Sequence, residues 1–388
     1  MGFWGVLVPG LLVIALCCSC SSWVLRVEAD AALPACDFPA IYNFGDSNSD
    51  TGGISAAFDP IPPPYGSAFF HKPAGRDCDG RLIVDFIAEK LKLPYLSAYL
   101  NSLGTNYRHG ANFATGGSTI RRQNETIFEY GISPFSLDMQ IVQYKQFKQR
   151  TAELYSQATE FSEKSKLPVQ KDFAKALYTF DIGQNDLSVG FRKLNSDQLK
   201  AALPDIVNQL ASAVQNIYQY GGRSFWIHNT GPIGCLPVHF FYNHNPPPGY
   251  LDDHGCVKFY NDMAVELNRQ LKERVVKLRQ ELPEAAITYV DVYAAKFALI
   301  GSYKSEGFVD PFKVCCGYHE NYDHIWCGNI GSVNGTKVFG GSCKDPATSI
   351  SWDGVHYSEA TNHWVANRIL NGSLSDPPTP ITQACHRR

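Results

Sequence analysis

The chain has 388 residues, of which 44% are hydrophobic and 18% charged, which excludes a disordered chain and supplies enough apolar mass for one large core. Its 34 basic and 37 acidic residues leave a net charge of -3 and are spread rather than clustered. No phosphate-tracking surface is implied, and nucleic acid is not an expected partner.

In chain order, Val6 to Cys18 form an apolar run too short for a comfortable membrane span, and Val27-Glu28-Ala29 suits signal peptidase. Residues 1–29 are therefore expected to be a cleaved secretory signal, the alternative being an uncleaved anchor. The remainder, 30–388, is expected to be a single domain, since no linker-like tract and no internal repeat interrupts it. Cleavage would leave cysteines 36, 78, 235, 256, 315, 316, 327, 343 and 385. In an oxidising compartment most should pair and one be left over, with Cys235–Cys256 and Cys36–Cys385 as expected bridges. Sequons at Asn124, Asn334 and Asn371 fit a secreted glycoprotein.

Short apolar runs alternate with amphipathic stretches, the pattern of an α/β domain with a mainly parallel sheet. Strands are expected at Ala40 to Phe44, Tyr107 to Phe113, Ala176 to Ile182, Ser224 to Asn229 and Ala286 to Val290. Apolar residues recurring every three or four positions predict helices over Asp197 to Tyr220 and Asn261 to Leu282. Gly221-Gly222 and Pro283 are their stops. Ile54 to Asp79, Thr119 to Pro134 and Pro232 to Gly255 read as long loops of the kind that shape binding sites. Within them and just beyond, Tyr65, Phe69, Phe70, Phe240, Phe241 and Tyr242 suit either a pocket lining or loop packing. Gly301 to Lys344 reads as an irregular excursion stapled by disulfides. His319 and His324 beside its four cysteines raise zinc, but their spacing matches no usual ligand pattern.

Phe44-Gly45-Asp46-Ser47 closes the first strand with a small-residue turn that can present Ser47 at the carboxyl edge of the sheet, where ligands of open α/β sheets bind. A serine nucleophile needs a histidine base steadied by a carboxylate. Of the eleven histidines only His356 has an aspartate three residues earlier, Asp353. Oxyanion donors are available from the turn Ala114 to Ser118 and from the Asn185 amide after the third strand.

Gly45-Asp46-Ser47 with Asp50 and Gly52, Asn112 to Gly117, Gly183 to Asp186 and Asp353 to His356 together resemble the GDSL esterase/lipase family, a branch of the SGNH hydrolases. Cys36 to Ile41, Trp226 to Leu236 and Asp376-Pro377-Pro378 are similar to its secreted plant subgroup of early-nodulin-type and latex-allergen-type esterases. The resemblance implies a three-layer α/β/α flavodoxin-like fold with a five-stranded parallel sheet. It implies Ser47 as nucleophile, Asp353 and His356 as relay pair, and Ser47 N–H, Gly117 and Asn185 as oxyanion donors. Gly117 rather than Gly116 is chosen by counting five residues from Asn112, and Cys78 stands where many relatives carry serine, making it the candidate odd thiol. The expectation is a secreted, monomeric, extracellular (apoplast or cell wall) carboxylic ester hydrolase with an ester substrate, no metal or organic cofactor, and no stable membrane insertion. An acyltransferase using the same residues and a non-catalytic cell-wall or glycan-binding glycoprotein are the alternatives. The absence of any Gly-x-Ser-x-Gly sequence disfavours the larger α/β-hydrolase family.

Overall fold

The structure is a computed structural model that describes residues 1–2, 33–123, 131–241, 245–320 and 323–387. Two compact units divide the chain, Met1–Pro34 and Ala35–Arg388, and every helix and strand assigned belongs to the second. The expected signal beyond its first two residues, Asn124 and Tyr242 lie outside the described residues.

All five expected strands are present: β1 (Ile41–Gly45), β2 (Gly110–Asn112), β3 (Leu177–Asp181), β4 (Ser224–His228) and β5 (Ala286–Val290). They pair in parallel. β2 is shorter than its apolar run because Gly110 has φ +111°, and a Cβ there would lie 1.8 Å from the Ile41 carbonyl oxygen. The preceding residues turn instead of pairing, with Gly110 N–H bonded to Tyr107 O. The cysteine-rich excursion carries two antiparallel hairpins, β6 (Tyr318–Glu320) with β7 (Asp323–Ile325) and β8 (Ile330–Val333) with β9 (Thr336–Phe339). Beyond the expected five strands, the two-residue β10 (Ser375–Asp376) joins β5 antiparallel, too short to leave any periodicity in the sequence. The sheet order is β10-β5-β4-β3-β1-β2.

Helices α1 (Gly53–Ala57), α2 (Ile83–Lys90), α3 (Leu137–Gln157), α4 (Phe161–Lys164), α5 (Gln184–Lys193), α6 (Ser196–Gln219), α7 (Lys258–Glu281), α8 (Val292–Ser302) and α9 (Glu359–Ile369) follow the chain. α6 starts where Asn195 and Gln198 cap each other's backbone N–H, an arrangement typically worth about 1 kcal/mol. α7 begins three residues before the expected Asn261, with Val257 at its N-cap position. On the strands, side chains alternate between faces. Tyr42, Phe44, Tyr178 and Phe180 face α3, α6 and α7, while Ile41, Leu177 and Trp226 face α2, α8 and α9. Phe44 stacks between Phe113 and Phe180 at 5.3 and 5.1 Å, which packs the sheet centre with rings. β1 is flanked by β2 on one side and β3 on the other, so the chain reverses its direction of travel across the sheet there. Connections leaving the ends of β1 and β3 diverge and open a crevice.

Candidate active site

The turn after β1 is held by groups from three other segments. Asp46 N–H donates to Asp181 O at the end of β3. The buried Asp50 carboxylate accepts from the backbone N–H groups of Gly52, Gly53 and Ile54, and from Gly116 N–H at 2.8 Å. One carboxylate thus fastens the Ser47 turn to the loop after β2. Gln140 of α3 completes the clamp: its Oε1 accepts from Gly45 N–H, and its Nε2 donates to Gly45 O and Ser118 Oγ. Ser47 remains 8% exposed, at the floor of the crevice.

The segment before α9 meets this turn from the far end of the chain. His356 Nε2 lies 2.8 Å from Ser47 Oγ, and His356 Nδ1 lies 2.7 Å from Asp353 Oδ2. Asp353 Oδ1 accepts from the backbone N–H groups of Val355 and His356, so the loop folds around the carboxylate. Gly354, at φ +96°, makes that tight turn possible, and a side chain there would also strike Phe241. Burial opposes a charge on His356, but the adjacent Asp353 carboxylate outweighs it and raises the ring to about 9. Burial likewise works to raise Asp353, and the His356 ring outweighs it, so the carboxyl is lowered.

The expected oxyanion donors lie on the turn after β1, the loop after β2 and the start of α5. Gly116 N–H is taken by Asp50, whereas the N–H groups of Gly117, at φ +76°, and Ser47 have no acceptor among the described residues. Asn185 sits in the first turn of α5, and its amide donates one hydrogen to Ser118 O at 2.9 Å, leaving the second. Asp186 accepts from Ile120 and Arg121 N–H, tying α5 to the same loop. Ser47, Gly117, Asn185, Asp353 and His356, more than 300 residues apart at the extremes, are therefore joined by one hydrogen-bonded framework.

A family model described as GDSL-like Lipase/Acylhydrolase matches residues 41–369. The chain belongs to that family. It is similar to a GDSL esterase/lipase of Arabidopsis thaliana, 70% identical and covering 92% of this chain and 91% of the relative. The GDSL esterase/lipase ENOD8 of Medicago truncatula is 49% identical, covering 91% of each. A third relative, named alpha-L-fucosidase 3, from Arabidopsis thaliana, is 48% identical over 91% of this chain and 93% of its own. The GDSL protein is thus a plant-type carboxylic ester hydrolase.

Several parts of this GDSL site escaped the sequence. Tyr65, expected only as pocket lining or packing, donates its hydroxyl to Asp353 Oδ2 at 2.8 Å while its ring meets Trp352 edge-on. Gln140 is a clamp whose partners, Gly45 and Ser118, are far away in the chain, and the motif residue Asp50 reaches beyond its own turn to Gly116, so no local pattern marks either long-range contact. Beneath the crevice, buried His228 lies 3.2 Å from Asp181 through Nδ1, and buried Lys296 places its ammonium over the Tyr357 ring. The expected bridges Cys36–Cys385 and Cys235–Cys256 are formed, and Cys78 is a free buried thiol. The four cysteines of the excursion are spent in Cys315–Cys343 and Cys316–Cys327. His319 and His324 face each other through Nδ1 at 2.7 Å, with Phe241 stacked on His319. Phe69 and Phe70 pack on each other and under Arg81 and Arg76 respectively, so they serve the loop rather than line the crevice.

Proposed function

We propose that the protein hydrolyses carboxylic esters through an acyl-enzyme on Ser47. The 2.8 Å approach of His356 Nε2 to Ser47 Oγ carries this reading. His356 takes the hydroxyl proton as Ser47 attacks the ester carbonyl, and Asp353 fixes the ring tautomer and steadies the imidazolium. Ser47 N–H, Gly117 N–H and the free hydrogen of the Asn185 amide receive the oxyanion, each such donor typically being worth about 100- to 1000-fold in rate. The alcohol leaves with the His356 proton. Water then repeats the sequence, with no metal or organic cofactor required by any step.

The protein is further read as a monomer of the secretory route, delivered outside the cell. Four disulfides suit an oxidising compartment. Asn334, at the tip of the β8–β9 hairpin, and Asn371, just after α9, are exposed where a glycan can be carried. No described helix is long and apolar enough to cross a membrane.

A fluorophosphonate probe together with an aryl acetate assay tests the reading. Wild type should label and turn over, while Ser47→Ala should do neither, with an unchanged circular dichroism spectrum. Acyltransfer uses the same residues, and dominant transfer to added alcohols at low concentration would replace hydrolysis as the main activity. The relative named a fucosidase brings a glycosidase reading, which calls for carboxylates flanking a sugar bond. Asp353 is already committed to His356 and Tyr65. Turnover of an aryl fucoside, undiminished in Ser47→Ala, would favour the glycosidase instead.

A further inference from the structure

The carboxylates around His356 are not equivalent. Asp50 is filled by four backbone N–H groups, and Asp353 by two N–H groups, Tyr65 and His356. Asp46 accepts twice from Asn48 on one oxygen and has its other oxygen sealed from solvent. Asp77 accepts no hydrogen bond among the described residues, and its half-buried side chain is not among the sealed, partnerless groups. A carboxyl with no protein partner beside the reacting groups keeps its acceptor capacity for water or for a substrate group that displaces it.

Its position and mounting fit that role. Asp77 Oδ2 lies 3.5 Å from where a Cβ on Gly116 would be, at the edge of the oxyanion loop. His356, Asp50, Asp353 and the Tyr65 hydroxyl are the titratable groups whose fields it shares. The backbone on either side is pinned. Gly75 packs so closely on Gly52 that a Cβ would fall 2.5 Å from the Gly52 Cα, Arg76 is paired with Asp85 at 2.6 Å, and Gly66 N–H bonds Cys78 O. A carboxyl on such a rigid mount holds one place relative to the scissile ester.

We propose that Asp77 is a specificity-determining residue that hydrogen-bonds a hydroxyl group borne by the substrate near its ester, so that esters of polyhydroxylated alcohols, sugars above all, are the preferred class. This inference rests on the Ser47 reading above. Burial pushes the Asp77 carboxyl up to about 7, against the pull of His356, so ionised and protonated forms coexist near neutrality. A hydroxyl both donates and accepts and so bonds either form, whereas a quaternary ammonium offers no hydrogen, is drawn only to the ionised form, and is repelled by the imidazolium formed during turnover. A site built around a substrate hydroxyl rejects the analogue that lacks it, because its own polar group is then left unpaired.

The test compares three acetates on full-length wild type, Asp77→Asn and Asp77→Ala: a methyl glucoside acetylated on its primary hydroxyl, cyclohexylmethyl acetate, and acetylcholine. Wild type should favour the glucoside ester over the cyclohexylmethyl ester by roughly 10- to 100-fold in kcat/KM, the range for one hydrogen bond to an ionisable group. Asp77→Ala should bring that ratio near one, through a larger loss on the glucoside ester than on the cyclohexylmethyl ester. Any effect of Asp77 on the basicity of His356 acts on both esters and cancels in the ratio. Complete fluorophosphonate labelling, with an unchanged circular dichroism spectrum, confirms that the variants are folded with the Ser47 site intact. An unchanged ratio in both variants overturns the inference while leaving Ser47 chemistry standing, as does a loss confined to acetylcholine. A wild type that neither labels nor cleaves any of the three overturns both readings.

Discussion

Asp353 Oδ2 receives the His356 ring and the Tyr65 hydroxyl together, and Oδ1 receives two backbone N–H groups, so the carboxylate is fixed in place and charge before substrate enters. Two expectations follow at this scale. Because Asp353 overcomes burial and raises His356 above the usual 6.5, the ring keeps its proton to higher pH, and a general base works only when neutral. Activity is therefore lost as pH falls through the raised value, and the acid limb of kcat/KM against pH should have its midpoint above 6.5. Asp353→Asn should cost about 10⁴-fold, as for a lost tautomer lock, and shift the limb of the residual activity downward. A wild-type midpoint below 6.5 contradicts the electrostatic account. Tyr65→Phe keeps the ring against Trp352 but removes one donor from the carboxylate. A fall in kcat of roughly 10-fold with KM little changed is expected, and a loss below about twofold would make the hydroxyl incidental.

The oxyanion loop has no regular structure of its own, and its order comes from elements on either side. α3 supplies Gln140, whose amide bridges the end of β1 and Ser118, and α5 supplies Asp186 to the backbone of Ile120 and Arg121. α3 has buried positions Leu137, Ile141, Tyr144 and Phe147, but Gln140 and Thr151 lie on the same inner face, and a search for apolar recurrence passes over such a helix. Gln140→Ala should leave the Gly45 N–H unpaired in the interior, while the Gly45 carbonyl keeps the Thr115 N–H, lowering stability by roughly 1–3 kcal/mol in urea unfolding. It should also reduce kcat in the surviving folded protein. Loss of stability with kcat intact would show that the bridge holds the core but not the loop.

Over the whole molecule, function depends on bringing the two ends of a long chain to one crevice. Ser47 and His356 are separated by 309 positions, and the Cys36–Cys385 bridge encloses both, with Cys36 N–H also bonded to Thr382 O. Replacing both cysteines by alanine should lower the melting temperature, since closing a loop of 349 residues gives an entropic stabilisation on the order of 6 kcal/mol in the unfolded-chain account. Esterase activity at low temperature should persist, because β1 and α9 are also held by the sheet and the two helix layers. Cys78→Ala should move the melt far less, its thiol being unbridged. Equal melting for the bridge variant and wild type would show that packing alone holds the ends.

The sequence by itself determined the strands that end in polar turns, the two longest apolar-striped helices, an odd count of cysteines beyond the expected signal, and the Asp353–His356 spacing, while the disulfide connectivity stayed open in it. Each of these writes a local signal: a period, a spacing of three, a cysteine count, a small-residue turn. Only the tertiary structure decided that Gly116 N–H goes to Asp50 while Gly117 N–H stays available, that Tyr65 joins Asp353, and that Asp77 accepts no hydrogen bond among the described residues. A hydrogen bond between residues that are far apart in the chain depends on where the backbone has carried them, and no run of neighbouring letters encodes that distance.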